Sequence, residues 1–570
     1  MNRRQYILLA VVALGMVAGV AAVAYHLGKS QGGEQLTELH DEVERLLAGE
    51  KDAAVVKRVS QQMEDIAYQQ KAISDQQRDR AEEQSKLAIQ NAERAEMESR
   101  AAREAEGKAN VAAQEAERER ANAERQQSIA VEQRDEATHA KNVADTLSIR
   151  SQARILGVTS QVRREAGEAE VADLLAYTSW YFLKNYRGNQ YFSDTFKALT
   201  QATNGISRYK MKRNSTVNAI AQVPGKPLQC VVVTNYGEVE WLTATASGSS
   251  MRISAKTIFS NKAYDFRDVV VQGQWIYALS HKGPLCRFDQ QGNMTVIPLP
   301  EGSEDSYFRI LPMGMSPLAG GEKLLLVGRR SLLWFINNKR LYNEGLSDNP
   351  IRLSKTLSAI VEREGKPCLF YADGSYGEMD TYYQVEEKTP LVKGVVTAAH
   401  YDKNMQCLSV AVKDGTVYPI NKYNRVVETL AAHKANCHNI AMLGSTIVTG
   451  GYDKAVYLWH MDNLMFESGM NFREEMQARS VVKNQARNNK EIPTEWLVPV
   501  DYNFDGWTLA VCGDADGKSV WIGTSNGSVV LMNTSADDMA QQLYRRMKRN
   551  LTQQEWTRYV GVAIPYMKLK

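Results

Sequence analysis

The alternation of hydrophobic and polar positions changes its period three times along the chain. Tyr6 to Tyr25 is an uncharged run whose length matches the ~20 residues that a helix rising 1.5 Å per residue needs to cross a bilayer core. A tyrosine stands at each end, where an amphipathic ring prefers the lipid–water interface. From about Gln35 to Arg150 the chain is dominated by Ala, Glu, Gln and Arg, with only Gly49 and Gly107 as breakers, which predicts long helix. Leu36, Leu39, Val43 and Leu46 begin a 3-4 apolar spacing that Val56, Val59, Met63, Ile66 and Ile73 resume, a heptad seam. Beyond it Ala81, Ala88, Ala95, Ala102, Ala109, Ala116, Ala123, Ala130, Ala137 and Ala144 recur at a strict interval of seven. A methyl-sized seam packs closely but buries little apolar area per turn. Two readings stay open here. One is a parallel, self-associating coiled-coil stalk, roughly 170 Å long if continuous; the other is a solvated single helix supported by its i,i+4 charge pairs.

Between Ser151 and Gly205 the period stays helical but becomes apolar and aromatic. Val171, Leu174, Leu175, Thr178 and Phe182 share one face, Gly188 stands where a C-terminal cap belongs, and Tyr191, Phe192, Phe196 and Leu199 open a second helix closed by Asn204 and Gly205. After Asn214 the pattern shifts to short β-rich runs separated by turn dipeptides, which predicts an all-β repeat array. Seven units are legible: Val217 to Leu242, Phe266 to Phe288, Phe308 to Ile336, Leu357 to Met379, Val395 to Ile420, Cys437 to Met461 and Val498 to Met532. Asn214 to Met532 divided by seven gives about 46 residues per unit, near the 40–45 of a propeller blade. A closed ring also removes the exposed edges of an open antiparallel sheet.

The clearest unit reads NIAMLGSTIVTGGYDKAVYLWHM and resembles a WD40 repeat. His433, Thr449, Asp453 and Trp459 stand in the order of that family's blade-locking hydrogen-bonded tetrad, with Ala432 where Gly is usual and His460 where Asp is usual. The succession of membrane helix, coiled coil, AEVADLLAYTSWYF segment, propeller and LTQQEWTRYVGVAIPY tail is similar to the C-terminal sensor half of bacterial multidomain WD40 proteins, including those attached to STAND-type signalling NTPases. Only five residues precede Tyr6, so the expectation is the sensor or scaffold part alone.

Composition then narrows the chemistry. Sixty-nine basic and 66 acidic residues leave a net charge of +3, too small a field for a protein that coats nucleic acid, and no nucleic-acid partner is expected. Arg3 and Arg4 precede the apolar run while Glu34, Glu38 and Asp41 follow it, so the positive-inside rule keeps the N-terminus cytoplasmic and the propeller extracytoplasmic, on a single-pass bacterial inner-membrane anchor. Ala22-Val23-Ala24 also fits a signal-peptide cleavage site, although the apolar core is longer than such peptides use. Gly15 and Gly19 are spaced to let two membrane helices approach. Cys230, Cys286, Cys368, Cys407, Cys437 and Cys512 form no C-x-x-C pair, so no zinc cluster or thioredoxin-type motif is written here. P-loop, dinucleotide, zinc-protease and serine-hydrolase signatures are absent, and neither catalytic residues nor a cofactor nor a metal is expected. The basic run Tyr544 to Lys570 reads as a solvated face on a helix whose Leu551 and Trp556 pack against the propeller rim, with anionic lipid or nucleic acid as the alternative contact.

The fold class expected is thus α plus all-β: a membrane anchor with its flanks (1–33), a coiled-coil stalk (34–150), a helical collar (151–205), a seven-bladed WD40-like propeller (206–535) and a basic tail packing on it (536–570). The function expected is a membrane-anchored, non-catalytic scaffold or sensor that binds a protein partner and self-associates through its stalk. The alternatives are an envelope hydrolase or lyase with its site in the propeller channel, and a cytoplasm-facing regulator of a separate signalling NTPase.

Overall fold

The computed structural model describes residues 80–91, 93–94, 97, 112–247, 250–315, 322–337, 344–346, 349–380, 382, 384–461 and 500–570. The apolar run Tyr6–Tyr25 with Gly15 and Gly19, and the seam positions Ala95, Ala102 and Ala109, lie outside them. Among the described residues no helix is long and apolar enough to cross a membrane. The chain forms two compact units, residues 1–188 with 549–570, and residues 189–548.

In the first unit, helix α1 (80–91) lies beside α2 (Ala112–Glu165), because Lys141 Nζ donates to Glu82 Oε1 at 2.7 Å across a separation of 59 residues. A continuous helix would place those residues roughly 90 Å apart. One straight helix therefore does not run from Glu82 to Lys141. Ala81, Ala88, Ala123, Ala130 and Ala137 are each at most 7% exposed, so these seam methyls are buried within one chain. Alanine lets two backbones approach closely, and the charged flanks of the same heptads supply the ion pair.

Gly167, at a φ of 85°, turns the chain from α2 into α3 (Ala169–Asn185), with Glu168 N–H donating to Arg163 O. Small residues set this contact: Ser160 Oγ donates to Ala172 O at 2.7 Å and Ser179 Oγ to Ala153 O at 2.6 Å, one bond in each direction between the helices. Leu174, Leu175, Thr178 and Phe182 are buried on the face that their spacing predicts. Arg150, 6% exposed, donates to Tyr186 O and Arg187 O at the C-terminal end of α3, where orphan carbonyls and the helix dipole favour a cation.

The C-terminal segment completes this unit. Thr552 and Glu555 form a capping box at the start of a short helix, Gln553–Tyr559, and Arg549 clasps Glu555 through two bonds of 2.7 and 3.0 Å. Trp556 packs edge-on against Phe182 at 5.9 Å and Tyr566 at 5.6 Å, while its Nε1–H donates to Ile564 O. Both ring neighbours belong to this helical unit.

The second unit is a seven-bladed β-propeller. Six blades are four consecutive antiparallel strands: β2–β5 (Val217–Ser260), β6–β9 (Phe266–Ile297), β10–β13 (Tyr307–Leu346, with β14, Ile351–Arg352, beside β12), β15–β18 (Leu357–Lys388), β19–β22 (Val396–Ala431) and β23–β26 (Cys437–Asn503). The seventh takes β27–β29 (Thr508–Asn533) and, as outermost strand, β1 (Ile206–Lys210), in register from Ile206 opposite Met532 to Lys210 opposite Ser528. The seven expected units coincide with the inner three strands of successive blades, except that Val500–Asn503 closes the sixth blade and the seventh starts at Thr508. Helices α4 (Ser193–Thr203) and α5 (Ala536–Arg546) flank the closure: Asn533 N–H donates to Gly205 O, and Arg546 donates to Ala202 O. The segment 151–205 is thus divided, α3 falling in the helical unit and α4 in the propeller unit.

The hairpin of α1 on α2 is open to a distance measurement. Spin labels at positions 82 and 141, replacing Glu82 and Lys141 in the full chain, are expected to lie within about 20 Å of each other, against roughly 90 Å for a continuous rod. Double electron–electron resonance on chains diluted with unlabelled protein reads this without interference from self-association.

Candidate functional site

His433, Thr449 and Asp453 meet in the sixth blade. His433 Nδ1 lies 2.9 Å from Asp453 Oδ1 and its Nε2 lies 3.0 Å from Thr449 Oγ1, while Lys434 N–H donates to Asp453 Oδ2. A neutral imidazole satisfies both partners, giving its proton to the carboxylate and accepting from the hydroxyl. Trp459 sits among the apolar side chains of this blade with its Nε1 buried and without a hydrogen-bond partner. The constellation is therefore a three-residue lock with a packed indole beside it.

Other blades place different residues at the same location. In the first, Thr234 Oγ1 donates to Glu238 Oε2 at 3.1 Å and Ser215 bonds the same oxygen. In the third, Asp305 Oδ2 accepts from Arg330 N–H at 2.8 Å and from Ser331 Oγ at 2.7 Å. Each ties the loop entering a blade to the turn at its top, so these groups are structural.

The residues that converge lie around the channel. All seven inner strands, β2, β6, β10, β15, β19, β23 and β27, carry a register shift after their first residue, which re-aims the side chains that follow. The next ladder position is alanine in four blades, Ala219, Ala359, Ala398 and Ala510. In the other three it is Asp268, Arg309 and Asn439. Asp268 accepts from Ile310 N–H at 2.7 Å and faces Arg309 Nε at 3.8 Å. Burial pushes the Asp268 carboxyl up, with Arg309 and the Ile310 and Val269 amides pulling it back. Arg309 also acts on groups of the fifth, sixth and seventh blades: its charge helps to depress His400 and His438 and opposes the rise that burial imposes on Cys512. Burial is the main cause for His400, pushed down to about 4. His438 is open to channel water yet ringed by inner strands, and that enclosure, with Arg309 and Arg329, holds it below its ordinary value.

One mouth of the channel is aromatic. His438 and Tyr452 have ring centroids 5.3 Å apart, and Tyr452 meets Trp507 edge-on at 5.5 Å. Trp507 is 50% exposed and Tyr452 36%. Local backbone bonds hold the pair in place, since Trp507 N–H donates to Ser525 Oγ and Ser525 N–H to Trp507 O. Tyr452 lies in the turn before β25 (Ala455–His460) and His460 ends that strand, stacked on Tyr191 at 3.7 Å beside α4, so the aromatic mouth and the two flanking helices lie at opposite ends of the propeller. His438, His460 and Asp453 are consequently not gathered into one site, and among the described residues no cluster of metal-ligating side chains forms. An open groove of about 460 Å³ at the helix-bearing end, lined by Met313, Glu362, Glu364, Tyr401 and Lys403, pairs its polar groups with one another, Tyr401 with Glu364 and Lys403 with Glu362. All six cysteines are free thiols; burial pushes Cys286, Cys407 and Cys437 up to about 12.

Arg309, His400, Tyr452 and Trp507 were not expected as site residues. They come from different repeats, and only the ring brings them together. The available signal was the third position of each inner strand, small in most units but Asp268 and Arg309 in two adjacent ones. No protein-family model matches the chain, and no curated protein matches it.

Two outcomes follow for stability. Asp453→Ala strips His433 and the Lys434 amide of their acceptor and is expected to cost on the order of 1–3 kcal/mol, read as a lowered denaturation midpoint. His433 and His400 have folded pKa values below the ordinary 6.5, so the folded chain binds fewer protons than the unfolded one below that pH. Their contribution is complete above about pH 6.5 and is lost as pH falls towards the folded value. Melting temperature should therefore drop between pH 7 and pH 5, and His400→Asn should flatten that slope.

Proposed function

We propose that this protein is a membrane-anchored, non-catalytic scaffold or sensor whose WD40-like propeller binds a protein partner through the aromatic mouth of its channel. The exposed Trp507–Tyr452 pair carries this reading, because it places two large amphipathic rings on an open face, the residue types in which interface hot spots are enriched. Rigid aromatic rings give up little side-chain entropy on binding, and these two are held by the backbone of the closed ring. The uncharged run Tyr6–Tyr25 supports an anchor, and the charges around it support an extracytoplasmic propeller on the bacterial inner membrane. The apolar heptads from Leu36 to Ile73 support self-association, and a linked pair of heads would add avidity.

A catalytic channel asks for an acid–base pair at reacting distance. Among the described residues the carboxylate at the inner-strand position is Asp268, already engaged by an amide and an arginine, so no observation favours the hydrolase reading.

Two measurements test the proposal. In affinity purification of the tagged full chain from cross-linked membranes, Trp507→Ala is expected to lose co-purifying protein that Tyr423→Ala, an exposed tyrosine in a different turn, retains; equal recovery from both variants would remove the mouth from the binding account. Protease treatment of intact and outer-membrane-permeabilised cells should cut a C-terminal tag only after permeabilisation, and protection until the inner membrane is broken would place the propeller in the cytoplasm.

A further inference from the structure

Chemistry at the channel mouth goes further than exposed aromatic area. Trp507, Tyr452 and His438 form a continuous path of ring contacts from solvent into the channel, and Arg309 lies within electrostatic reach of the last of them. The Arg309 guanidinium donates no hydrogen bond within the described structure, and its one ion pair, to Asp268 through Nε at 3.8 Å, is too long for one. Asp268 meanwhile has a closer donor in the Ile310 amide. The planar fork of Arg309 is thus left with donors to fill, in a half-buried position where a charged pair gains more than at a surface.

The rim repeats the same sign. Lys282, Arg329, Lys413 and Lys454 are exposed in the turns at this end of the second, third, fifth and sixth blades. Three carboxylates in such turns are tied down, since Asp414 accepts from Thr416 N–H, Asp373 from Ser375 N–H, and Asp453 from Lys434 N–H beside His433, while Asp505 stands exposed beside Trp507. Free donors and exposed cations surround an aromatic platform, and the complementary ligand carries carboxylates next to an apolar or aromatic side chain.

We infer that the channel mouth recognises an acidic peptide segment of a protein partner, one carboxylate pairing with Arg309 and the neighbouring side chain packing on Trp507 and Tyr452. This rests on the proposed partner-binding role of the mouth and names its ligand class. Association would be steered by the basic rim and weakened by salt.

The test is selection of a random dodecapeptide phage library on the full chain in detergent, followed by fluorescence anisotropy with individual selected peptides. Expected are peptides enriched in Asp and Glu beside an aromatic or large apolar residue, with affinity falling as salt rises. Arg309→Gln should weaken them on the order of tenfold, with a melting temperature like that of the wild type. Replacing the peptides' Asp and Glu by Asn and Gln should do the same on wild-type protein, which keeps the test independent of how any variant folds. A selected pool without acidic enrichment, or amide peptides that bind as well as their acidic parents, would overturn the inference. If Arg309→Gln binds normally while Trp507→Ala does not, the acidic assignment fails and the partner-binding mouth stands. Peptides indifferent to both variants would defeat both. Binding of phosphatidylglycerol vesicles through Arg309, with no peptide selected, would overturn the inference in favour of a lipid surface.

Discussion

The five-residue ladder between β1 and β29 joins the beginning of the propeller to its end, and every other feature of the ring depends on it. Without that pairing the last blade would hold three strands and expose β29 as an open edge, with unpaired amides and carbonyls facing water. With it, the inner strands of all seven blades become neighbours around one axis. The closing ladder is reinforced where the chain enters and leaves. Gly205 accepts from Asn533, Arg546 reaches the C-terminal carbonyl of Ala202, and Tyr502 donates to Thr200 at 2.9 Å, so α4, α5 and the sixth blade brace the seam from one end. The opposite end of the ring carries Tyr452 and Trp507.

Closure also explains why blades of such different sequence are equivalent. Each must hold its entering loop against the turn between its second and third strands, but the hydrogen-bonding requirement does not specify the residues. His433 with Asp453 and Thr449, Glu238 with Ser215 and Thr234, and Asp305 with Ser331 are three solutions to it. One carries an imidazole and two do not, and only the first therefore makes local stability respond to a histidine's protonation. The register shift at the head of every inner strand is the common feature, since it is a backbone property imposed by curvature towards the axis.

This division accounts for what was legible in the amino-acid order. The alternating runs and turn dipeptides are local, and they mark the strands of all seven blades closely, Phe266–Phe288 and Leu357–Met379 to the residue. His433, Thr449 and Asp453 were legible because their spacing follows from a hairpin. The assignment of Val500–Asn503 was not, because an outer strand has few buried positions to show a pattern and follows a long polar stretch. Ile206–Lys210 shows no sign of its partner, which lies more than three hundred residues away. Ala81, Ala88, Ala123, Ala130 and Ala137 are buried, but a repeat of alanines does not say whether its partner is another chain or the same one returning. Among the described residues Lys141 pairs with Glu82 of the same chain. Leu551 and Trp556, expected to pack, are buried, Trp556 against Phe182.

Site residues were the least legible because convergence on an axis is a property of closure. Arg309 on one repeat and His438, Tyr452 and Trp507 on two others have nothing in common along the chain, and in the ring the three aromatic side chains touch in sequence while the charge of Arg309 reaches His438. Whether this mouth is where a partner sits is most directly measured by photo-cross-linking in living cells, with p-benzoylphenylalanine in place of Trp507 in one strain and of Tyr423 in another. The account predicts a discrete adduct of higher mass from position 507, absent from position 423 and diminished when Arg309→Gln is added. An adduct from position 423 with none from position 507 would contradict it.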